Sequence, residues 1–349
     1  MTNPGKKNIN SWEIAKLAGV SRSTVSRVIN NYPNVPESTR EKVMAVIREC
    51  NYYPDFSAQV LSGKGTGTIG LFWISHGSIA VDALASSFMA RVIEDAAELD
   101  FLVLTCVVPN LTDPLYIDKI KRIFLQRRVD GGVFIGASNN EPLIEELIGD
   151  GKIIGLFDHY LPGRNESNRI VLNFERNTGE KAIDYLASLG HRKIAILDGD
   201  LNRYSSFCRH EGFLNGMRKH SIEIRGEWIK IVGANGEKGY DQTTELIARS
   251  SGLPTALCCN NDSTAFYVIN ALNDAGLSVP GDISVIGIDD HTRSADFKPP
   301  LTTFRFDFRE MFMQLTKRLI TEITNPSSDD PRIMEFYSEF VERDSCRRL

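Results

Sequence analysis

The stretch that decides how this chain is organised is Trp12–Asn30, WEIAKLAGVSRSTVSRVIN. At about 100° per helical residue, an N-cap at Ser21 and a helix from Arg22 place Arg22, Ser23, Ser26 and Arg27 within an arc of roughly 140°. Val25, Val28 and Ile29 fall on the other side. One face can dock on a small core while the other offers hydroxyls and two guanidiniums outward. Those groups suit a major groove, where Arg bonds bidentately to a guanine edge and Ser donates or accepts. Glu13–Ala18 predicts a preceding short helix, which Gly19 ends with a positive φ. Helix, glycine turn and second helix make a helix-turn-helix candidate. The plainer alternative is an ordinary helical hairpin, and the surroundings weigh against it. Residues 1–64 hold nine cations against five acids, a balance of +4, so the remaining 285 residues carry −9 within the total of −5. A basic head on an acidic body directs only the head toward nucleic acid.

The 349 residues, 42% of them hydrophobic, can bury a large core in two or three folding units. No apolar run reaches membrane length, and the start of the chain is polar with two lysines, so the expectation is a soluble cytoplasmic protein. Six scattered cysteines without C-x-x-C indicate neither a zinc site nor a disulfide framework. No metal and no cofactor is expected.

Val43, Val46, Ile47 and Cys50 follow at i, i+3, i+4 and i+7 and predict a third helix closing the head, which Asn51–Pro54 breaks. Asp55–Ser62 has modest helix propensity and a small apolar side of Ala58 and Leu61. With the glycines 63, 65 and 67 behind it, this stretch is a tether that can hold a helix only against a partner.

From Thr68 the pattern alternates apolar runs and amphipathic stretches. Strands are predicted at Ile69–Ile74, Phe101–Val108, Gly132–Ile135, Ile153–Phe157, Ile194–Leu197, Trp228–Val232, Ala256–Cys259 and Ile283–Ile288, with helices between them. Such order implies parallel sheets covered on both faces, as one barrel or as two doubly wound lobes. Ligands in open sheets bind beyond the carboxyl ends of strands, which singles out Ser75, His76, Asp158, His159, Asn261, Asp262, Asp289 and Asp290.

Ala15–Ser21, Thr24–Val28, Asn30, Thr39–Arg40, Tyr53–Pro54, Gly190–His191, Arg209 with Gly212–Phe213, Asn261–Asp262, Pro280 with Asp282–Ser284, Gly287 with Asp289–Asp290, and Pro300–Thr303 together resemble the lac repressor (LacI/GalR) family of bacterial transcription regulators. The resemblance spans nearly the whole chain in order. It implies an α/β protein with an N-terminal three-helix helix-turn-helix domain over residues 1–54 and a hinge helix and tether over 55–66. A two-lobed periplasmic-binding-protein-like domain with parallel sheets then covers 67–349. The lobes would be about 67–170 with 304–328, and about 171–303 with 329–349.

Carried over by position, Arg22, Ser23 and Arg27 fall on base-reading positions, and Ser21, Thr24, Ser26 and Asn30 complete the DNA-binding candidates on the same helix. Ala58, Gln59 and Leu61 fit the hinge pattern, Leu61 matching a leucine that wedges into a minor-groove step. Arg209, Asn261 and Asp289 fall on effector-bonding positions, with Ser75, His76 and Asp158 added from the strand ends. Arg offers a fixed fork and Asp accepts from two neighbouring hydroxyls, a pair suited to a sugar or sugar phosphate. Ala234 stands where several members place a stacking aromatic, so Phe72, Trp73, Tyr160 or Tyr204 would have to supply that face.

The implied function is a homodimeric repressor of carbohydrate-utilisation genes, binding a pseudo-palindromic operator under control of a small effector, and not an enzyme. Arg332–Leu349 has no sustained leucine heptad, so no coiled-coil tetramer is expected. A cytoplasmic sugar-binding protein without regulatory DNA binding is the alternative. A nucleotide enzyme is disfavoured because Gly65–Gly70 spells G-x-G-x-x-G ahead of its strand, whereas a dinucleotide fingerprint follows one.

Overall fold

The computed structural model describes residues 9–53, 65–75, 79, 83–160, 168–233, 236, 238–249, 252–326 and 332–349. Two compact units divide between Thr66 and Gly67.

The first unit holds α1 (Ser11–Ala18), α2 (Arg22–Ile29) and α3 (Glu37–Glu49). Asn10 caps α1 through a box with Glu13, and Gly19 leaves it at φ 64°. The Ser21 side chain accepts the Thr24 amide at 3.1 Å and starts α2 where the sequence places it. Ile14, Ala15, Ala18, Val25, Val28, Val35 and Val43 are buried together. Arg40 ties the α2–α3 loop to α3 by donating to Asn31 Oδ1 and the Tyr32 carbonyl, each at 2.7 Å.

The second unit is α/β. Its strands are β1 (Thr68–Ile74), β2 (Leu102–Val108), β3 (Gly131–Ile135), β4 (Ile153–Phe157), β5 (Arg169–Phe174), β6 (Ile194–Asp198), β7 (Ile229–Ile231), β8 (Ala256–Cys259), β9 (Ser284–Ile286), β10 (Thr303–Arg305), β11 (Ile333–Phe336) and β12 (Glu339–Val341). Its helices are α4 (Ala83–Glu98), α5 (Pro114–Leu125), α6 (Pro142–Gly149), α7 (Thr178–Ser188), α8 (Tyr204–Lys219), α9 (Gly239–Arg249), α10 (Asp262–Asp274) and α11 (Phe308–Thr324). One parallel sheet runs β11-β5-β4-β3-β1-β2, a second runs β7-β6-β8-β9, and β10 pairs antiparallel with β12. The two parallel sheets are the cores of two lobes, not one barrel. In the first, Leu71 and Trp73 face one apolar cluster while Phe72 between them stacks on Phe124 and Phe134 in another, the two-residue alternation of a strand covered on both sides.

The lobe boundaries differ from the expectation. Arg169–Phe174 is a strand of the first sheet, so that lobe continues past residue 170, and β11 adds to its edge, whereas the expectation assigns residues from 329 to the other lobe. The buried polar residues of β5 find partners only in three dimensions: Arg169 donates to both Glu145 oxygens at 2.9 and 2.7 Å, and Asn173 Oδ1 accepts the His159 amide. The chain therefore crosses between lobes three times: between β5 and α7, between β9 and α11, and between β11 and the C-terminal segment. That segment returns to the second lobe, where Ser345 donates to the Val285 carbonyl.

Candidate functional site

On α2, Arg22, Ser23, Ser26 and Arg27 are exposed while Val25 and Val28 are buried, so the two faces separate as the spacing predicts. Ser21 and Thr24 bond each other through their hydroxyls at 2.8 Å and serve the cap. Asn30 Nδ2 donates to Ser26 Oγ at 3.2 Å, and Arg22 Nε donates to Ser11 Oγ at 3.0 Å. Ala58, Leu61 and the rest of the hinge candidates lie outside the described residues.

In the second unit a cleft of about 560 Å³ opens between the lobes. It lies beyond the carboxyl ends of the strands that flank both topological switch points, β1 and β3 in one sheet and β6 and β8 in the other. Ser75, Asp158, Arg209, Asn261 and Asp289 all line it, while His76 and Ala234 lie outside the described residues. Arg209 comes from the second turn of α8, held close to α7 by two glycines. A Cβ on Gly179 would sit 2.2 Å from the Arg209 carbonyl oxygen, and one on Gly212 would sit 2.8 Å from the Glu180 amide nitrogen. Arg209 donates through Nη1 to the Asn260 carbonyl at 2.6 Å and through Nη2 to Asp289 Oδ1 at 2.8 Å. Burial pushes the Asp289 carboxyl above the usual range, and Arg209 offsets only part of that rise. Asn261 spends its Oδ1 capping α10, accepting the Thr264 amide and hydroxyl at 2.8 Å each.

Asp158 bridges the lobes. From the end of β4 it accepts the Ser205 amide at 2.6 Å and the Ser205 hydroxyl at 2.8 Å, and Arg203 Nε lies 3.3 Å from its Oδ2. Both Asp158 and Asp289 hold positive φ, at 60° and 116°. Backbone strain of this kind concentrates where a site over-determines it. His159, next in sequence, is buried outside the cleft, where burial lowers its pKa to about 4 and keeps the ring neutral. Asp262 is likewise turned inward, accepting from the His291 amide and the Ser294 and Thr303 hydroxyls.

The walls differ in character. Among the described residues the second lobe contributes only polar ones, such as Asp200, Arg203, Ser206 and Asn260, while Trp73, Ile79, Phe88, Phe157, Phe174 and Phe308 line the first-lobe side. Of the proposed stacking rings only Trp73 lines the cleft. Phe72 points into the opposite core, and Tyr160 and Tyr204 pack against each other under Arg176. Gly65–Gly70 leads into β1 instead of following a strand, as the sequence indicates.

A model of bacterial regulatory proteins of the lacI family matches residues 12–55, and one of a periplasmic binding protein-like domain matches 183–346. Across 97% of this chain and 98% of the relative, the sequence is 31% identical to the probable HTH-type transcriptional repressor ExuR of Bacillus subtilis (strain 168). Identity is also 31%, over the same shares, to the HTH-type transcriptional repressor PurR of Actinobacillus pleuropneumoniae serotype 3 (strain JL03). This chain belongs to the lacI family. It is a DNA-binding transcriptional regulator. The lac repressor dimer solved with operator and the anti-inducer ONPF superposes at a TM-score of 0.77 and 26% identity, over 98% of this chain and 100% of that one. The CelR-cellobiose complex, at 22% identity and a TM-score of 0.73 over 98% and 100%, shares the fold.

For this lacI-family regulator, residue-level reading of the cleft missed Arg203, Ser205, Ser206 and Asn260. Asn260 follows β8 directly and was reachable by the strand-end rule. The other three sit several residues past β6 at the start of α8, where nothing in the local sequence says that the loop folds back over the sheet edge.

Proposed function

We propose that the protein acts as a cytoplasmic homodimer that represses genes of carbohydrate use by placing two copies of α2 in successive major grooves of a pseudo-palindromic operator. Arg22, Ser23, Ser26 and Arg27 face the bases, Ser21, Thr24 and Asn30 hold the helix and its flanking phosphate contacts, and Ala58 and Leu61 form the minor-groove hinge. The observation that carries this is the division of α2, whose exposed face is four donors and whose other face is buried, in a chain of a repressor family.

The cleft binds a sugar or sugar phosphate, with Arg209, Asp289, Asp158, Asn261, Ser75 and His76 as its polar contacts. A polar wall facing a ring-lined wall suits a molecule with hydroxyl edges and a C–H face. Its charged groups are engaged with each other and with the chain, which fixes their positions for binding. The effector acts through unequal affinity for two arrangements of the lobes.

The experiment is fluorescence anisotropy on promoter fragments near the gene at fixed salt, with and without a sugar panel. One fragment bound at least a thousandfold above the rest, with affinity moved by a sugar, is the expected result. Uniform weak binding to all fragments refutes the proposal.

A further inference from the structure

The cations of the cleft are already matched by the protein's own carboxylates. Arg209 is held by Asp289, and Arg203 lies against Asp158. Helix α8 starts at Tyr204, and its N-cap, Arg203, supplies no side-chain acceptor. The free amides of a helix start attract an anion. Here Asp158, a carboxylate from the other lobe, takes that place by accepting the Ser205 amide and hydroxyl. Glu141 and Asp200 line the same cleft, so among the described residues it holds four carboxylates against two guanidiniums.

Three buried atoms of cleft-lining residues have no hydrogen-bond partner: Arg203 Nε, Arg209 Nε and Asn260 Oδ1. Arg203 Nε already faces the Asp158 carboxylate at 3.3 Å, which leaves Arg209 Nε, a donor, and Asn260 Oδ1, an acceptor. A hydroxyl can satisfy either, whereas an ionised carboxylate or phosphate accepts only. A new anion would meet like charge and find the helix start occupied.

We propose that the effector is an uncharged polyhydroxy compound, and that Asp158 is the specificity-determining residue that bars acidic sugars and sugar phosphates by standing in the anion position at the start of α8. This rests on reading the cleft as a sugar site and narrows it.

The test uses the full chain and isothermal titration calorimetry with glucose and galactose, their uronic acids, and glucose 6-phosphate. The wild type is compared with Asp158→Asn, which keeps an oxygen for the Ser205 amide and tolerates the positive φ. In the wild type a neutral hexose binds at least tenfold tighter than its acid, and in Asp158→Asn that ratio falls at least tenfold. An acid that binds the wild type as tightly as its neutral counterpart, or a ratio unmoved by the substitution, overturns the proposal. Binding of no neutral hexose and no acid counts against the sugar reading alone, because the anion position is then tested without sugars. Thermal melts are taken in sulfate and in chloride at equal ionic strength, for the wild type and for Asp158→Gly, which fits φ 60°. Sulfate strengthens burial in both proteins, so the readout is the difference between them. An extra sulfate-dependent rise in Asp158→Gly supports the bar, and equal rises overturn it.

Discussion

Arg27 shows how far a single residue carries the reading frame of the protein. It lies exposed on the last turn of α2, beyond a buried Val25 and Val28, so Arg27→Ala removes a donor fork without touching the core. Competition binding at fixed salt should show a loss of about 1–3 kcal/mol at matched operator and little change on unrelated DNA. Unchanged discrimination removes Arg27 from the base-reading set. Arg209 behaves differently, because the structure gives it two long-range bonds that spacing cannot reveal. Arg209→Ala leaves the Asp289 carboxylate stranded and should cost about 3 kcal/mol in urea unfolding, the low end for breaking a buried pair, since Asp289 keeps 15% of its side-chain exposure. The Arg209→Ala/Asp289→Asn double variant should recover part of that loss, and an additive result contradicts the pairing. Asp262 is the residue for pH. Burial raises its carboxyl to about 7 against three donated hydrogen bonds that oppose the shift. Between pH 4 and 7 the folded chain therefore holds a proton that the unfolded chain has released, so this group's contribution is fully present below about pH 4 and is lost as pH rises toward 7. Asp262→Asn should flatten that slope in chemical denaturation, because the Thr303 hydroxyl can turn to accept from the new amide.

At the scale of elements, the turn between α1 and α2 was legible because its signals are local. Gly19 needs φ 64° whatever the rest of the chain does, and a Cβ there meets only Lys42 Nζ at 3.5 Å, ordinary contact. Gly19→Ala should therefore cost about 1 kcal/mol through backbone strain alone. Ser21→Ala should cost about 1 kcal/mol by removing the cap. Thermal melts of the isolated substitutions check both, and losses much larger than these would mean that the turn is packed and not merely capped. The strands were legible where apolar runs are continuous, as in β3 and β4. β5 was not, because it begins at Arg169 and carries Asn173 one residue before its end, residues that look like loop until Glu145 and the His159 amide satisfy them. The short β10 and β12 pair across more than thirty residues of chain and leave little trace in sequence.

At the scale of the whole molecule, a dimer of this chain would require operator half-sites about one helical turn or a multiple apart, which footprinting measures. Light scattering should give twice the 39.0 kDa chain mass, and a monomer that still discriminates operator would contradict the two-fold arrangement. The sequence by itself determined the helix-turn-helix head, its outward and inward faces, the alternation of strand and helix, and the family. Those follow from periods of 3.6 and 2 and from residues with special φ, all of which act over a few positions. Only the tertiary structure decided where the three lobe crossings fall, that Asp158 reaches across the cleft to the start of another helix, and that one wall is polar while the other is lined with rings. Each of these depends on residues dozens of positions apart meeting at sheet ends. Only the burial of opposed surfaces and the pairing of buried charge fix such meetings, and neither leaves a local mark in the chain.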